Sequence, residues 1–455
     1  MAAGDLELLA LAAACVLGMV VLIAWLRLSA FLSLIIASAA LGFAAHMDGL
    51  AVVAALQKGF GDIVGSVGLV LVLGTILGAL IAGAGGADRI ALLVANAKSP
   101  MGVAWGMLFV SLLVGLPMFF EAGLGILMPI MLRIAQKLDL KENGDRYLLV
   151  AMPVLSGLSV AHGLLPPHPG PLAAAAALHA DVGLVLLLGI VVAIPAAAIG
   201  GPFYTKLMWN KAKTQPNLAL AGVLTEFKDL PPLGVTLFVL FLPVVLIAAG
   251  SLANVVAPDA PSTHVLAILG APAVALLIAV AAAFLLLGVA RRRSLTDMGV
   301  DIGRGTAAIA IILVIIGAGG ALKEILIQSG VSSAIGRMAS SMHMSALLLG
   351  WIAAALMRVS VGSATVATVT AAGLVAPLAL ALSPIDRALT VLSIGAGSVI
   401  FSHINNSGFW MVREYLGMSI GDTFKTWSSI ETIVSIVSLI VILIMSVALA
   451  GVALA

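Results

Sequence analysis

The stretch SHINNSGFW, residues 402–410, places six polar or small side chains within seven positions of a very apolar part of the chain. The segment before it, 388–401, has no charged residue, and the segment from Ile430 onward has only Glu431. Apolar sequence on both sides predicts membrane helices, and a helix break in lipid leaves backbone N–H and C=O groups unsatisfied. Such a break persists only inside protein or beside water. The stretch therefore predicts a broken membrane helix that lines a polar cavity.

The bulk composition places the whole chain in a membrane. Its 455 residues are 62% hydrophobic and 9% charged, with a mean hydropathy of +1.23, whereas soluble domains carry roughly 25% charged residues. The first apolar run, Leu6 to Leu26, precedes the first basic residue, Arg27, which predicts a retained span rather than a cleaved signal peptide. Cys15 is the single cysteine, so an intrachain disulfide is excluded. The net charge of +2 gives no indication of a nucleic-acid partner.

Apolar segments long enough to cross a bilayer, at roughly 20 residues each, recur along the chain. We predict crossings at 6–26, 28–45, 63–84, 147–178, 182–205, 234–253, 265–290, 305–322, 388–418 and 427–454. Two further segments, 101–135 and 344–382, are interrupted near their middles, so each could be two crossings or one re-entrant hairpin. The fold class is therefore an all-α polytopic membrane protein.

The basic residues indicate how these crossings are oriented. With the N-terminus outside and both interrupted segments as hairpins, 17 of the 22 Lys and Arg residues fall on the cytoplasmic side. Those that fall outside are Lys58, Lys323, Arg337 and Arg387, and Arg358 lies within a membrane segment. Cytoplasmic loops carry an excess of Lys and Arg. The split therefore favours both an outside N-terminus and the hairpin interpretation.

The two halves of the chain repeat one order of features. GAGGADRI at 83–90 recurs as GAGGALKE at 317–324, 234 positions later, and each is expected to end a crossing. His162 and His403 are 241 positions apart, close to the same register. Small-residue matches alone are weak, because close helix packing also selects small residues. The shared order of an interrupted segment, a broken crossing and a closing crossing is the stronger indication.

The long hydrophilic stretch before residue 233 divides the chain into repeats 1–232 and 233–455. Each repeat has five transmembrane crossings, one of them broken, plus one re-entrant hairpin. An odd number of crossings turns the second repeat upside down in the membrane. Inverted-topology repeats with discontinuous helices in matching positions are typical of secondary transporters, whose sites lie where the breaks meet.

The first interruption, GLPMFFEAGLG at 115–125, carries Glu121 in otherwise apolar sequence. A carboxylate at membrane depth is costly, which favours its protonated form and makes Glu121 the first candidate for a coupling proton. Alternatively, Glu121 is permanently neutral or caps a hairpin helix. Both alternatives remain open from the sequence.

The second interruption, SGLSVAHGLLPPHPGP at 156–171, contains four prolines, which make a continuous helix improbable. Ser159, His162 and His168 are donors or acceptors that could face substrate, and His162 is a further candidate for proton transfer. A lone membrane histidine is often only an interhelical hydrogen bond, so a structural role stays open for both histidines.

The third interruption, RVSVGSATVAT at 358–368, combines Arg358 with Gly362, Ser363 and Thr365 at a helix start. A helix N-terminus suits an anion, and the planar fork of arginine matches a carboxylate. The alternative is that Arg358 pairs structurally with an acidic side chain such as Glu121.

The fourth interruption is the opening stretch, in which Ser402, His403, Asn405, Asn406 and Ser407 could bind hydroxyl groups or hold a cation. Cationic and N–H donors indicate that the ligand has a carboxylate. Hydroxyl and amide groups indicate that the rest of the ligand is polyhydroxylated. A Glu and a His within the membrane indicate proton coupling. A small sugar acid combines all three properties.

Four segments together resemble the bacterial gluconate:proton symporter family within the wider ion-transporter superfamily. They are GLPMFFEAG at 115–123, GLSVAHGLLPPHPGP at 157–171, GSATVATVTAAGL at 362–374 and SHINNSGFWMVREYLGMSIGDTFKTWSSIETI at 402–433. The resemblance implies uptake of gluconate or a related hydroxy-acid with protons across the bacterial cytoplasmic membrane. The family also handles idonate, fructuronate, glycerate and D-serine, so it does not fix the substrate.

Superfamily kinship further implies a homodimer in which a moving transport domain, with both hairpins and both broken helices, slides against a scaffold. Sodium-driven relatives carry a Ser-Asn-Thr motif at the hairpin tips, whereas Phe-Phe-Glu-Ala-Gly stands here, so H⁺ is the expected coupling ion. A sodium-coupled carrier, or one for another carboxylate, is the alternative. The expected partners are the carboxylate, membrane lipid and a second copy of the chain, with no nucleic acid.

A membrane enzyme and a channel are the rival classes. No His-Glu-x-x-His or Gly-x-Ser-x-Gly motif and no metal-type Cys or His spacing occurs in the sequence, so neither an enzyme nor a metal or other cofactor is expected. Channel filters need repeated subunits or charged rings. Inverted broken helices favour alternating access instead.

Overall fold

The protein is described by a computed structural model over residues 3–94, 99–138, 144–216, 229–256, 260–331, 333–334, 337–338, 345–379, 381–404 and 406–450. Within these ranges the regular secondary structure is entirely helical. The helices of the first half are α1 (Ala3–Ala24), α2 (Ala30–Ala44), α3 (Gly49–Gly83), α4 (Gly86–Ala91), α5 (Pro100–Gly115), α6 (Phe120–Lys137), α7 (Arg146–Leu164), α8 (Pro169–Leu178), α9 (Val182–Ala198) and α10 (Tyr204–Met208).

The second half continues in the same way after the hydrophilic stretch. Its helices are α11 (Leu233–Val256), α12 (Pro261–Gly270), α13 (Pro272–Ala283), α14 (Leu295–Gln328), α15 (Ala346–Val361), α16 (Ala364–Ala379), α17 (Pro384–Val399), α18 (Ser407–Leu416), α19 (Ile420–Thr423) and α20 (Ser429–Ala450). Single π turns join α9 to α10 and α19 to α20, at Ile199–Phe203 and Phe424–Ser428.

Eight helical segments of the described chain are long and apolar enough to cross a membrane. They are Gly4–Ile23, Gly49–Gly83, Arg146–Leu178, Val182–Met208, Leu233–Asn254, Pro272–Arg291, Leu295–Gln328 and Ile420–Leu449. Each overlaps one of the ten predicted crossings, so the multi-pass helical class is confirmed. The other two predicted crossings, 28–45 and 388–418, correspond to the 15-residue α2 and to the pair α17 and α18.

The second GAGG segment, 317–324, does not end a crossing, so that expectation was wrong. The first GAGG segment follows the prediction, because α3 ends at Gly83. In the second half, α14 continues through 317–324 and ends only at Gln328. Here the backbones of α3 and α14 are in contact, because a Cβ on Gly59 would collide with the carbonyl oxygen of Gly320. The small residues in α14 therefore serve close helix packing rather than helix termination.

Both interrupted apolar segments form pairs of short helices joined by tight turns. Ser99 caps α5 and Pro100 occupies its first turn, while Ser345 caps α15 in the matching position. The turn after α15 is made by Gly362, whose φ of +80° is a conformation that favours glycine. The helices of these pairs have 16 to 18 residues, which gives roughly 24–27 Å each.

The two broken crossings are interrupted over only a few residues. Helix α7 continues through His162 to Leu164, and α8 begins at Pro169, so the break predicted across 156–171 is confined to 165–168. The second break lies between the end of α17 at Val399 and the start of α18 at Ser407. Helices α7, α8, α16 and α17 are buried along most of their length and pack together in the centre of the bundle. They face protein rather than lipid, which is what allows their backbone to be interrupted.

Candidate functional site

A cavity of about 410 Å³ lies where the two hairpin turns meet the two broken helices. Its polar lining residues come from six elements: Glu121, Ser159, His162, Arg358, Ser363, Thr365, Asn406, Ser407 and Glu431. The remaining lining residues are apolar, glycine or tryptophan, including Gly362 at the hairpin turn, Trp427, and Ile312 and Ile315 of α14. Nine of these lining residues were predicted from the sequence: all the polar ones except Glu431, together with Gly362.

Arg358 lies near the end of α15 with only 3% of its surface exposed. Its Nη1 donates to the carbonyl oxygen of Gly362 at 2.6 Å, which holds the guanidinium against the hairpin turn. Its Nη2 lies 3.5 Å from Oε2 of Glu431, and its Nε is buried without a hydrogen-bond partner. The guanidinium is thus buried beside the cavity with part of its donor capacity unused.

Glu431 is the acidic partner of Arg358, and it is 2% exposed. Its other carboxylate oxygen, Oε1, accepts a hydrogen bond from the hydroxyl of Ser159 on α7. The sequence left open, as an alternative to substrate binding, that Arg358 pairs with an acidic side chain such as Glu121; the acid within ion-pair distance is Glu431. Glu121 instead sits in the first turn of α6 with its side chain exposed to the cavity.

Glu431 and Trp427 are site residues that the sequence interpretation missed. A usable signal existed, because Glu431 is the only charged residue of the last apolar segment and the rule that singled out Glu121 applies equally to it. Trp427 is 2% exposed, and its ring centroid lies 4.8 Å from that of Phe120 at the first hairpin turn. It therefore closes one side of the cavity between α6 and the π turn that precedes α20.

Asn406 connects the second break to the second hairpin. Its Nδ2 donates to the carbonyl oxygen of Gly362, and its Oδ1 accepts from the backbone N–H of Phe409 at 3.2 Å, which caps α18. The hydroxyl of Ser402 also donates to Oδ1 at 3.1 Å. The carbonyl of Gly362 thus binds both Arg358 and Asn406, so the turn, the break and the guanidinium form one polar network.

Three predicted substrate-binding residues do not line the cavity. His168 is buried with Nε2 2.7 Å from the carbonyl oxygen of Gly115, and His403 has Nε2 2.9 Å from that of Val359. Ser402 is buried and accepts from Nε1 of Trp427 at 2.9 Å. Asn405 lies outside the described residues.

The rings of His162, in α7, and His168, in the first break, are stacked edge to face. Their ring centroids are 5.6 Å apart, with His168 held by Gly115 and His162 on the cavity side. Nδ1 of His162 is buried and has no hydrogen-bond partner. His162 therefore lines the cavity while one of its ring nitrogens, the buried Nδ1, is unused.

A second cavity of about 520 Å³ lies apart from these motifs, between α3 and α14 on one side and α8 and α16 on the other. Nζ of Lys58 lies 2.9 Å from Asp62 and 3.4 Å from Glu324 there. Burial lowers the pKa of His179, and the positive charges of Lys323 and Arg387 act in the same direction. None of the predicted site residues lines this cavity.

The first cavity combines a buried guanidinium, two carboxyl groups, hydroxyls and an amide in one small volume. Its volume falls within the roughly 300–1,000 Å³ of small-molecule sites. Within the described residues no group of three or more His, Cys, Asp or Glu side chains is placed to hold a metal ion. A bundle of membrane-crossing helices around such a cavity, at two hairpin turns and two helix breaks, defines the class as a membrane transporter.

The chain belongs to the GntP family of permeases, whose family profile matches residues 6–448. It is 40% identical over 449 residues to the gluconate permease of Pseudomonas aeruginosa, with 98% of this chain and 99% of that protein covered. It is 36% identical over 426 residues to the Gnt-II system L-idonate transporter of Escherichia coli, with 93% and 96% covered. Family and relatives are transporters, so this chain is a permease rather than an enzyme.

Two solved transporter structures share the fold. The YdaH transporter of Alcanivorax borkumensis superposes with a TM-score of 0.57 at 17% identity, covering 89% of this chain and 90% of that one. MtrF of Neisseria gonorrhoeae, from a class of antimetabolite efflux pumps, superposes with a TM-score of 0.62 at 16% identity, covering 87% and 84%. At these identities the likeness concerns the fold alone.

Proposed function

We propose that the protein imports gluconate or a closely related sugar acid together with protons. The observation that carries the proposal is the buried Arg358, which has an unpartnered Nε beside a cavity lined with hydroxyl and amide groups. A guanidinium supplies a planar pair of donors for a carboxylate, and the neighbouring polar groups suit a polyhydroxylated chain. Relatives at 35–40% identity that are named gluconate permeases support this substrate class.

The proposed contacts follow from the cavity lining. The substrate carboxylate binds Arg358 and the turn that leads into α16, at Gly362, Ser363 and Thr365, because a helix N-terminus favours an anion. The hydroxyl groups of the substrate bind Ser159, Asn406 and Ser407. In this proposal, His168, Ser402 and His403, which do not line the cavity, brace these groups, and Asn405 stays a predicted substrate-binding residue.

Proton coupling is proposed to run through Glu121 and His162. Both line the cavity, and both can change charge at membrane depth. Glu121 is exposed to the cavity, and His162, which also lines it, is half-buried. These two groups are suited to exchanging a proton with water that enters the cavity.

We propose that transport proceeds by an elevator-type movement within two inverted repeats, 1–232 and 233–455. The order of helices supports this architecture: a hairpin pair, a broken crossing and a closing crossing follow each other as α5–α9 and again as α15–α20. The hairpin helices, at roughly 24–27 Å, are shorter than the roughly 30 Å of a hydrocarbon core, which supports re-entrant hairpins.

The proposed setting is the bacterial inner membrane, with the N-terminus outside and two copies forming a homodimer. The distribution of Lys and Arg supports the orientation. Superfamily resemblance supports the dimer, which cross-linking of the purified protein would test.

The proposal is tested by uptake of radiolabelled gluconate into proteoliposomes that contain the purified protein. We expect saturable accumulation when an inward proton gradient is imposed, and unchanged accumulation when sodium is replaced by potassium. A sodium requirement would reassign the coupling ion, and conductance without saturation would indicate a channel.

L-Idonate is the second candidate substrate, because one relative at 36% identity is named an L-idonate transporter. The two acids differ in the arrangement of hydroxyl groups around a shared carboxylate. Competition of unlabelled L-idonate against labelled gluconate for uptake ranks the two substrates. Stronger inhibition by L-idonate than by unlabelled gluconate would make L-idonate the preferred substrate.

A further inference from the structure

Glu431 occupies the position that a substrate carboxylate would need. Its Oε2 lies 3.5 Å from Nη2 of Arg358, and its Oε1 accepts a hydrogen bond from Ser159. It is the only carboxylate within ion-pair distance of Arg358 among the residues that the structure describes. Both side chains of the pair line the same cavity.

The ion pair is a loose one for two buried groups. Close charge-assisted contacts between a guanidinium and a carboxylate are usually about 2.7–2.9 Å and often bidentate. Here a single contact of 3.5 Å joins Arg358 and Glu431, while Nε of Arg358 has no partner. The guanidinium therefore retains donors for a second carboxylate, and Glu431 can be displaced without breaking a bidentate pair.

Charge balance decides what happens when that second carboxylate arrives. Arg358 and ionised Glu431 together are neutral, so a bound substrate anion would leave one excess negative charge in a buried site. Two carboxylates sharing one site strongly favour protonation of one of them. Ionised Glu121 on the same cavity would add to the repulsion.

Building on the sugar-acid symport proposed above, we propose that Glu431 is the residue whose protonation releases Arg358 to bind the substrate carboxylate. One proton bonds to a carboxylate oxygen of Glu431, which becomes neutral, and the substrate anion takes over the guanidinium. When substrate leaves, Glu431 loses the proton to cavity water and pairs again with Arg358. Substrate and proton are thereby bound and released together.

The other ionisable groups around Glu431 fit this assignment. Arg358 is in contact with it, and Glu121 and His162 line the cavity from α6 and α7. Helix α9, which also packs against α20, contains no ionisable residue, and α17 carries its ionisable residues in its first turn, far from the break. Glu121 and His162 then serve as exchange groups between cavity water and Glu431.

The test compares Glu431→Gln with wild type, using gluconate binding between about pH 5.5 and 8 and gluconate transport in proteoliposomes. Glutamine has the shape of a protonated glutamate and can still accept from Ser159. We expect wild-type affinity to fall with rising pH, by up to about tenfold per unit, because binding takes up one proton. In Glu431→Gln we expect affinity that does not depend on pH, retained gluconate exchange, and loss of proton-driven accumulation.

Two further variants make the result specific. Glu414→Gln, at an exposed residue of α18, should keep the pH dependence and the accumulation of wild type. Glu121→Gln should slow uptake but keep the pH dependence of affinity. If Glu431→Gln fails to fold, Glu431→Asp replaces it: the shorter side chain should shift the pH midpoint of binding, and an unshifted midpoint would overturn the assignment.

The inference and the proposed function fail in different ways. Wild-type uptake that does not depend on the proton gradient would contradict proton symport itself. Proton-driven wild-type uptake together with normal, pH-dependent accumulation by Glu431→Gln would remove only the role of Glu431. A loss of pH dependence in Glu121→Gln instead would assign that role to Glu121.

Discussion

Arg358 shows how a residue that is costly in a membrane becomes tolerable. Its buried guanidinium is balanced by Glu431 and held by the carbonyl oxygen of Gly362 at 2.6 Å. Burial of an unpaired charge would cost several kcal/mol. The pairing with Glu431 offsets part of that cost, and in our proposal the unused Nε of Arg358 is left for the substrate anion.

We expect Arg358→Lys to weaken gluconate binding by about tenfold or more, because an ammonium cannot replace the planar pair of donors. The lysine keeps the charge, so the loss would come from geometry. Isothermal titration of the purified variant with gluconate checks this. Arg304→Lys, at an exposed residue of α14, is the matched control and should bind as wild type does. Unchanged affinity of Arg358→Lys would remove Arg358 from the substrate site.

Single residues were predictable from sequence to different degrees. Arg358, Glu121 and His162 stood out because each is an ionisable group in apolar sequence, and all three line the cavity. The partner of Arg358 was not predictable, because Glu431 lies 73 positions away and meets it only through helix packing. Sequence spacing holds no information on that encounter.

The helix breaks are stabilised by polar groups that satisfy the interrupted backbone. Asn406 caps α18 and donates a hydrogen bond to the carbonyl oxygen of Gly362, and the hydroxyl of Ser402 accepts a hydrogen bond from Nε1 of Trp427. The sequence indicated both breaks because clustered prolines and amides disfavour a continuous helix inside an apolar stretch. It overestimated the first break, since α7 remains helical to Leu164.

We expect Asn406→Ala to lower both thermal stability and gluconate affinity. The change removes the helix cap, worth about 1 kcal/mol, together with the bond to the carbonyl of Gly362 that positions Arg358. Asn406→Ser keeps a capping oxygen but is too short to reach Gly362 as well. It should recover stability in a thermal-shift assay while affinity stays reduced. Equal behaviour of the two variants would contradict separate roles for the cap and the bond to Gly362.

The whole molecule divides, in our proposal, into a part that holds the cavity and a part that anchors it. Helices α3 and α14 cross at backbone contact through Gly59 and Gly320, which suits a rigid scaffold. The hairpin helix α16 packs against α14, with an ideal Cβ on Gly373 only 3.7 Å from Cβ of Lys323. An elevator movement must separate such a pair.

We expect a disulfide between Lys323→Cys and Gly373→Cys to stop transport. The Cβ separation of 3.7 Å lies within the roughly 3.5–4.5 Å that disulfides require. In a Cys15→Ser background, oxidation should abolish proteoliposome uptake, and reduction should restore it. Each single-cysteine variant, treated with the same oxidant, is the control. Full uptake by the cross-linked protein would contradict sliding between α14 and α16.

The sequence by itself determined that this is a multi-pass helical membrane protein, where its helices are interrupted, and which segments resemble a permease family. These properties are local, because hydropathy, prolines and isolated charges act within one helix or one turn. Only the tertiary structure decided that the interruptions line one cavity, that Glu431 rather than Glu121 pairs with Arg358, and that 317–324 lies inside α14. Those outcomes depend on how distant helices pack, since a side chain meets its partner across a bundle and not along the chain.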